Sequence, residues 1–321
     1  MKKFDIVALG ECLIDFTPAG MSPAGMLLFE RNPGGAPANM LVCAANMGRK
    51  AAFIGKVGTD MQGQFLCKTI RDAGVDTGSL VMTDDYFTTL AFVTIDEHGD
   101  RSFAFARKPG ADTQLTEDEL DLEMLRNTKI FHIGSLSMTD EPARTTTVTA
   151  IKAAREGGAI ISYDPNYRPP LWESREAAQE QIRALLPYAD VVKISDNECE
   201  ITTGYTDMRE AAAYLKAQGA VCVVITAGEK GALISTKEGE CVVDGYRARQ
   251  VADTTGAGDA FWGAFLARLS ECGKQLRELT LDEWCDYADF ACAAGSLCVE
   301  KRGGIPAMPS RESVEQRCAQ R

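Results

Sequence analysis

The 321-residue chain has only two histidines, His98 and His132, and none of its eleven cysteines stands in a C-x-x-C pair. That leaves no ligand set from which a zinc cluster would be built. The cysteines are odd in number and scattered from Cys12 to Cys318. This predicts reduced, mostly buried thiols in a cytoplasmic protein, not a disulfide framework. No apolar run approaches the ~18 residues that span a bilayer; the longest candidate, residues 221–227, suits a buried strand. Asp5 and Glu11 interrupt the apolar start, which argues against a signal peptide there. Basic excess is also missing. The net charge of -12 disfavours nucleic acid and anionic membranes as partners, although local amides and a metal ion can still hold a nucleotide. Neither G-x-x-x-x-G-K-[ST] nor G-x-G-x-x-G occurs, so a P-loop enzyme and a dinucleotide dehydrogenase are disfavoured.

What is present alternates. Residues 4–9 read as a strand ending at Gly10, and residues 12–16 continue extended until Pro18, Gly20, Pro23 and Gly25, which are expected to break it. Residues 36–47 read as a helix with Pro37 in its first turn and Gly48 at its stop. A strand is expected at 52–58 and an amphipathic helix at 62–73. Residues 88–107 differ in kind, with two alternating runs about a turn at Glu97-His98-Gly99-Asp100, a hairpin signal. Further on, strands are expected at 130–133, 159–163, 191–194 and 221–226. Helices are expected at 142–156, 175–186, 208–218, 257–269 and 281–298. Repeated βα units predict an α/β fold: a mostly parallel central sheet with helices on both faces. Ligands of such folds sit at the C-terminal strand ends. Segments near 12–33 and 88–107 would form a small β-sheet lid inserted in one domain spanning 1–321.

The sharpest local signal is Asp253-Thr254-Thr255-Gly256-Ala257-Gly258-Asp259-Ala260-Phe261. Small residues before a helix leave its first amides pointing outward, where they and the positive helix end hold an anion. Asp259 would stand beside that anion. A carboxylate there suits phosphoryl transfer, taking the proton of the attacking hydroxyl. Read locally, the same residues also fit a glycine turn with an acid that favours a helix start.

Residues 253–267 resemble the C-terminal signature of the ribokinase-like, or PfkB, sugar kinases. Gly34-Gly35-Ala36-Pro37-Ala38-Asn39, with Gly55-Lys56-Val57-Gly58-Thr59-Asp60 further on, resembles the N-terminal signature. The resemblance covers nearly the whole chain. Gly10-Glu11, Asp15-Phe16, Arg107 to Asp112, His132 to Ser135 and Asp164-Pro165-Asn166-Tyr167-Arg168 look like the fructokinase branch.

The resemblance implies a ribokinase-like fold and transfer of the γ-phosphate of MgATP to the terminal hydroxyl of a ketohexose, with fructose leading. 2-Keto-3-deoxygluconate and a ribonucleoside such as aminoimidazole riboside are the alternative acceptors, and a sugar sensor without catalysis is the remote one. Asp259 would be the base, with Gly256, Ala257 and Gly258 forming the anion hole. Asp15, Gly34, Gly35, Asn39, Arg107 and Arg168 would bind the sugar. For Asn39 a helix-surface amide, for Asp15 an edge-strand charge and for Arg107 a solvated lid charge remain open. Lys193, Ser195, Glu198, Thr226, Gly228 and Gly231 would bind the nucleotide. Glu198 would order Mg2+ through phosphates or water, and it could equally be plain surface charge. Asp253, Thr255 and Gly303 would hold K+. Ala106 stands where fructokinases carry an aromatic residue, which is expected to remove bulk from the lid. Phe92, Phe103 and Phe105 are expected to be exposed on the lid, and pairing two lids in a homodimer would cover them.

Overall fold

The computed structural model describes residues 2–95 and 101–321, so the expected turn at residues 97–100 lies outside the described residues. The strands are β1 Phe4–Leu9, β2 Leu13–Met21, β3 Leu27–Gly34, β4 Ala51–Gly58, β5 Asp76–Thr83, β6 Leu90–Ile95, β7 Arg101–Ala106, β8 Thr128–Ile133, β9 Ile160–Tyr163, β10 Val191–Ser195, β11 Cys222–Thr226, β12 Ala232–Thr236 and β13 Gly239–Val243. The α-helices are α1 Ala36–Asn46, α2 Met61–Asp72, α3 Leu122–Arg126, α4 Ala143–Glu156, α5 Arg175–Leu185, α6 Cys199–Thr203, α7 Met208–Ala217, α8 Ala257–Glu271, α9 Leu281–Cys298 and α10 Arg311–Cys318.

Among the described residues the strands form two sheets. The larger has nine strands in the order β13-β12-β11-β10-β9-β8-β1-β4-β5. It is parallel from β11 to β5, and β12 and β13 are added antiparallel. β1 shows why these strands read as continuous apolar runs. Ile6 and Ala8 enter the core shared with α1, α8 and α9, whereas Val7 and Leu9 enter the core shared with α4 and α7. Both faces are covered, so no polar alternation is needed. Trp262 and Phe265 of α8 stack at 4.9 Å, and Phe265 stacks on Trp284 of α9 at 5.9 Å. Gly263 packs against α1, where a Cβ would collide with the Met40 carbonyl oxygen. That close approach sets the start of α8 beside Asn39.

The smaller sheet has the order β3-β2-β6-β7. β2 does not break at Pro18 and Gly20, as expected from sequence; it runs on to Met21. Its pairing with β6 ends at Phe16, so Pro18 faces only β3, an edge position that a proline tolerates. β5, β12, β13, α6 and α10 were not foreseen. β5 is an edge strand containing Asp76 and Gly78, with no apolar alternation to mark it.

Cys241 of β13 and Cys285 of α9 form a disulfide. This corrects the expectation of reduced thiols for that pair, because the β12–β13 hairpin packs on α9 and brings the two together. The other nine cysteines are free, and seven of them are buried. Among the described residues no helix is long and apolar enough to cross a membrane.

Candidate active site

A cleft of about 1040 Å³ lies over the C-terminal ends of the parallel strands, under the small sheet. Asp15, Gly35, Asn39 and Arg168 line it, as do Lys193, Ser195, Thr226 and Gly228 after β10 and β11. β1 and β11 stand four places apart in the sheet, so the two groups mark separate ends of the cleft. Asp259 and the loop before α8 also line it.

The loop before α8 turns through Gly256, whose φ of 80° is the left-handed region that a glycine adopts without a Cβ penalty. Upstream, the Asp253 carboxylate accepts from the Thr255 amide at 3.0 Å and hydroxyl at 2.8 Å, fixing the turn. No side chain caps α8; the Ala257 amide reaches back to the Thr254 carbonyl at 3.4 Å, and the amides of Gly258 and Asp259 behind it face the anion position. Asp259 lies in that turn and is buried, 9% exposed. Asn39 Nδ2 donates to its Oδ2 at 2.8 Å, and Asn166 Nδ2 donates to its Oδ1 at 3.3 Å. Burial raises the Asp259 pKa, while the Asn39 hydrogen bond and the Lys193 charge oppose that rise. Asn39 is no surface amide: it is buried, and its Oδ1 meets no donor among the described residues. A small closed pocket of about 10 Å³ adjoins Asp259, lined also by Glu11, His132 and Asp164.

At the end near β1, burial lifts the Asp15 carboxyl to about 6, only partly countered by Arg168. Gly34 packs against Asp15, where a side chain would strike its carboxylate. Glu11, fully enclosed, is pushed by burial to about 7, although its Oε1 accepts the Ala36 amide at 2.9 Å. The solvated-charge reading of Arg107 does not hold. Arg107 is buried rather than solvated, and it is absent from the cleft wall. Its guanidinium pairs with Asp112 at 2.7 Å and donates to Thr139 Oγ1 and the Leu136 carbonyl. The chain turns inward right after β7, and Asp112 follows within reach. Ala106 also differs from expectation: it is exposed, and Phe105 lines the cleft instead, so Ala106 opens no space there. Phe92 is half-buried, stacked on Phe16 at 5.2 Å. The Phe103 side chain lies outside the described set. Among the described side chains, the exposed large apolar ones of the small sheet are Met21, Leu27, Leu28 and Phe29.

At the other end the buried Lys193 and Glu198 are both engaged by neighbours. Lys193 and Asp164 form a buried ion pair at 2.6 Å. Burial opposes the Lys193 charge, but Asp164, Glu198 and Asp259 outweigh it and raise its pKa. Glu198 accepts the Ser195 amide and hydroxyl, each at 2.8 Å, and the Tyr167 amide at 2.7 Å. It is a buried fastener, not loose surface charge. Gly231 is outside the cleft wall, with φ 96°, pressed against the backbone at residues 243–245.

Metal fit follows from these donors. Among the described residues no three His, Cys, Asp or Glu side chains cluster as a cage. A Mg2+ ion held mostly by phosphate oxygens and water needs no such cage. Asp253, Thr255 and Gly303 do converge: the Gly303 amide donates to Asp253 Oδ2 at 3.2 Å. An oxygen-rich turn of this kind suits a hard monovalent cation. Asp164 and Asn166 had no assigned role in the sequence reading. The signal was the Asp164-Pro165-Asn166 run preceding Arg168.

Comparison with known proteins places the whole chain in one family. The model of the pfkB family of carbohydrate kinases matches residues 3–311. Fructokinase-1 of Zea mays is 40% identical over 314 residues, 97% of this chain and 96% of the relative. The crystal structure of fructokinase with bound ATP from Xylella fastidiosa superposes with a TM-score of 0.90 at 32% identity, covering 100% of this chain and 99% of that one. Fructokinase from Vibrio cholerae O395, in a form with bound fructose, ADP and calcium ion, gives a TM-score of 0.87 at 32% identity, covering 98% of each chain.

Proposed function

The chain belongs to the pfkB family of carbohydrate kinases, and we propose that it phosphorylates fructose from ATP with Asp259 as the base. It is a sugar kinase. Fructose as acceptor is supported by the fructokinase relatives and by the neighbour with bound fructose and ADP. The observation that carries the base assignment is a buried carboxylate, held at both oxygens, at the start of α8 between the two ends of the cleft.

In this reading the terminal hydroxyl oxygen of fructose attacks the γ-phosphorus of ATP. The bond from that phosphorus to the β–γ bridging oxygen breaks, and ADP leaves. Asp259 accepts the hydroxyl proton. The amides of Gly256, Gly258 and Asp259 face the transferring group, where negative charge is shared in the transition state. Asp15 and the open Oδ1 of Asn39 receive sugar hydroxyls, and Arg168 faces the sugar and phosphate oxygens. Lys193, Ser195, Thr226 and Gly228 flank the nucleotide. Glu198 is the residue that would help hold Mg2+ here, through water, and the ion would supply charge neutralisation to the phosphates. Asp253, Thr255 and Gly303 would hold K+, which adds positive field near the anion hole.

The small sheet acts as a lid that excludes water as a competing acceptor. Its exposed Met21, Leu27, Leu28 and Phe29 support a homodimer through paired lids; a monomer by light scattering at micromolar concentration would refute it. Nine free thiols, seven of them buried, support a cytoplasmic location, and the Cys241–Cys285 disulfide counts against it. The decisive assay is ADP release with MgATP against fructose, ribose, tagatose, 2-keto-3-deoxygluconate and a ribonucleoside, with and without potassium. Fructose should give the highest kcat/KM. Preference for another sugar would move the acceptor assignment and leave the kinase chemistry standing.

A further inference from the structure

Asn166 has the one positive φ among the described non-glycine residues, at 45°. Such a conformation is costly for most side chains, and asparagine is among the few that accept it. The turn that imposes it is locked from several sides. The Asn166 amide donates to Asp164 Oδ1 at 3.2 Å. Asp164 is tied by its other oxygen to Lys193, and the next residue, Tyr167, donates its amide to Glu198. The outcome of this bracing is that Asn166 Nδ2 points at Asp259 Oδ1. Asn39 reaches the other oxygen from α1. Two amides, on elements from opposite halves of the sequence, fix the plane of one carboxylate.

We propose that Asn166 is a positioning residue for the reaction, holding Asp259 ionised and aimed at the acceptor hydroxyl. The proposal rests on Asp259 being the base. An amide donor favours the charged form of a carboxylate, and this one sits where burial favours the neutral form. Other groups around Asp259 bear on its titration. Lys193 from β10 and Arg168 from the loop after β9 favour the anion, and Asp164 disfavours it. The nearby thiols of Cys43 and Cys298 are held protonated by burial, and His132 of β8 is held neutral by burial, with a pKa of about 3. Asp15 and Glu11 titrate at about 6 and about 7, inside the working range. An acid limb in the rate profile therefore has three candidate owners.

Asn166→Gly keeps the left-handed turn and removes only the donor, so it separates side chain from backbone. The measurement is kcat and kcat/KM for fructose from pH 5 to 9, with KM for ATP, for wild type, Asn166→Gly, Asn166→Asp and Asp259→Asn. Expected is a kcat loss of about 10- to 100-fold in Asn166→Gly, part of the roughly 10²- to 10⁴-fold worth of a general base. The acid limb should move up by about one pH unit in Asn166→Gly, and further in Asn166→Asp, where a like charge faces the base. KM for ATP should hold. A kcat of Asn166→Gly within about 2-fold of wild type across the pH range, beside a dead Asp259→Asn, would overturn the positioning role and leave the base assignment intact, whichever group owns the acid limb. Near-normal turnover by Asp259→Asn would overturn both.

Discussion

The two ends of the cleft differ in how their charges are settled. After β10 and β11, Lys193 has Asp164, and Glu198 has three donors. Near β1, Asp15 and Glu11 are enclosed with too little positive charge to satisfy them, and burial drives both pKa values up. The buried Lys193 and Glu198 are engaged without a ligand, whereas Asp15 lacks that support. If the first end takes the nucleotide and the second the sugar, as proposed above, preorganisation favours the nucleotide and discrimination belongs to the sugar, because unpaired buried polar groups reject a ligand that cannot pair with them.

The largest effect should come from the group between the ends. Asp259→Asn should lower kcat by at least about 10²- to 10⁴-fold while ATP binding by calorimetry stays near wild type. A parallel loss of ATP affinity would mean that Asp259 belongs to the nucleotide end. Next, Lys193→Met should cost roughly 3–5 kcal/mol of stability, because Asp164 is left buried without its partner. Urea unfolding checks this, and adding Asp164→Asn should restore most of the loss. If Lys193→Met is silent, the nucleotide end is not held together by this pair.

Asp15→Asn should do the reverse. The folded pKa of about 6 lies above the ordinary 3.8, so the folded chain binds more protons than the unfolded one between these values. Wild-type stability then falls as pH rises through that window, and the penalty is complete above pH 6. Asp15→Asn should therefore raise stability at pH 8 by up to about 3 kcal/mol, change little at pH 3.5, and raise KM for fructose. Thermal unfolding at both pH values tests this; equal shifts would show that Asp15 titrates normally. The smallest effect belongs to the rim. Arg31 lies 3.8 Å over the Phe65 ring, linking β3 to α2. Phe65→Leu should cost about 0.5–1 kcal/mol and leave kcat at saturating sugar unchanged.

Much of this was legible in the residues. The parallel core showed itself because strands buried on both faces are apolar throughout. Gly256 to Asp259 stood out because an anion hole needs small residues before a helix. What escaped notice depends on neighbours distant in sequence. The Lys193–Asp164 pair joins two strand ends, and nothing local to Lys193 distinguishes it from a surface lysine. Arg107 read as a cleft residue because it ends a lid strand; its capture by Asp112 depends on the path of the turn after it. β5 escaped because an edge strand needs no apolar alternation. Asn166 was visible as part of a run, but its aim at Asp259 follows from a left-handed backbone that the residue type permits without announcing.

The joints of the small sheet set how far each part of the sugar site can travel. Three residues separate β1 from β2, and one separates β3 from α1. The remaining strand connections are pinned close by: Thr89 lies between Ile14 and Asp112, and Arg107 is clasped by Asp112. The sheet is a lever mounted at these points. Asp15 lies two residues beyond the mount, about 7 Å of strand, and Met21 lies eight beyond, about 26 Å. A tilt of about 10° would carry the tip by roughly 5 Å and Asp15 by about 1 Å, on the same strand rise. If the sheet works as the proposed lid, its rim would sweep open while Asp15 barely leaves its place.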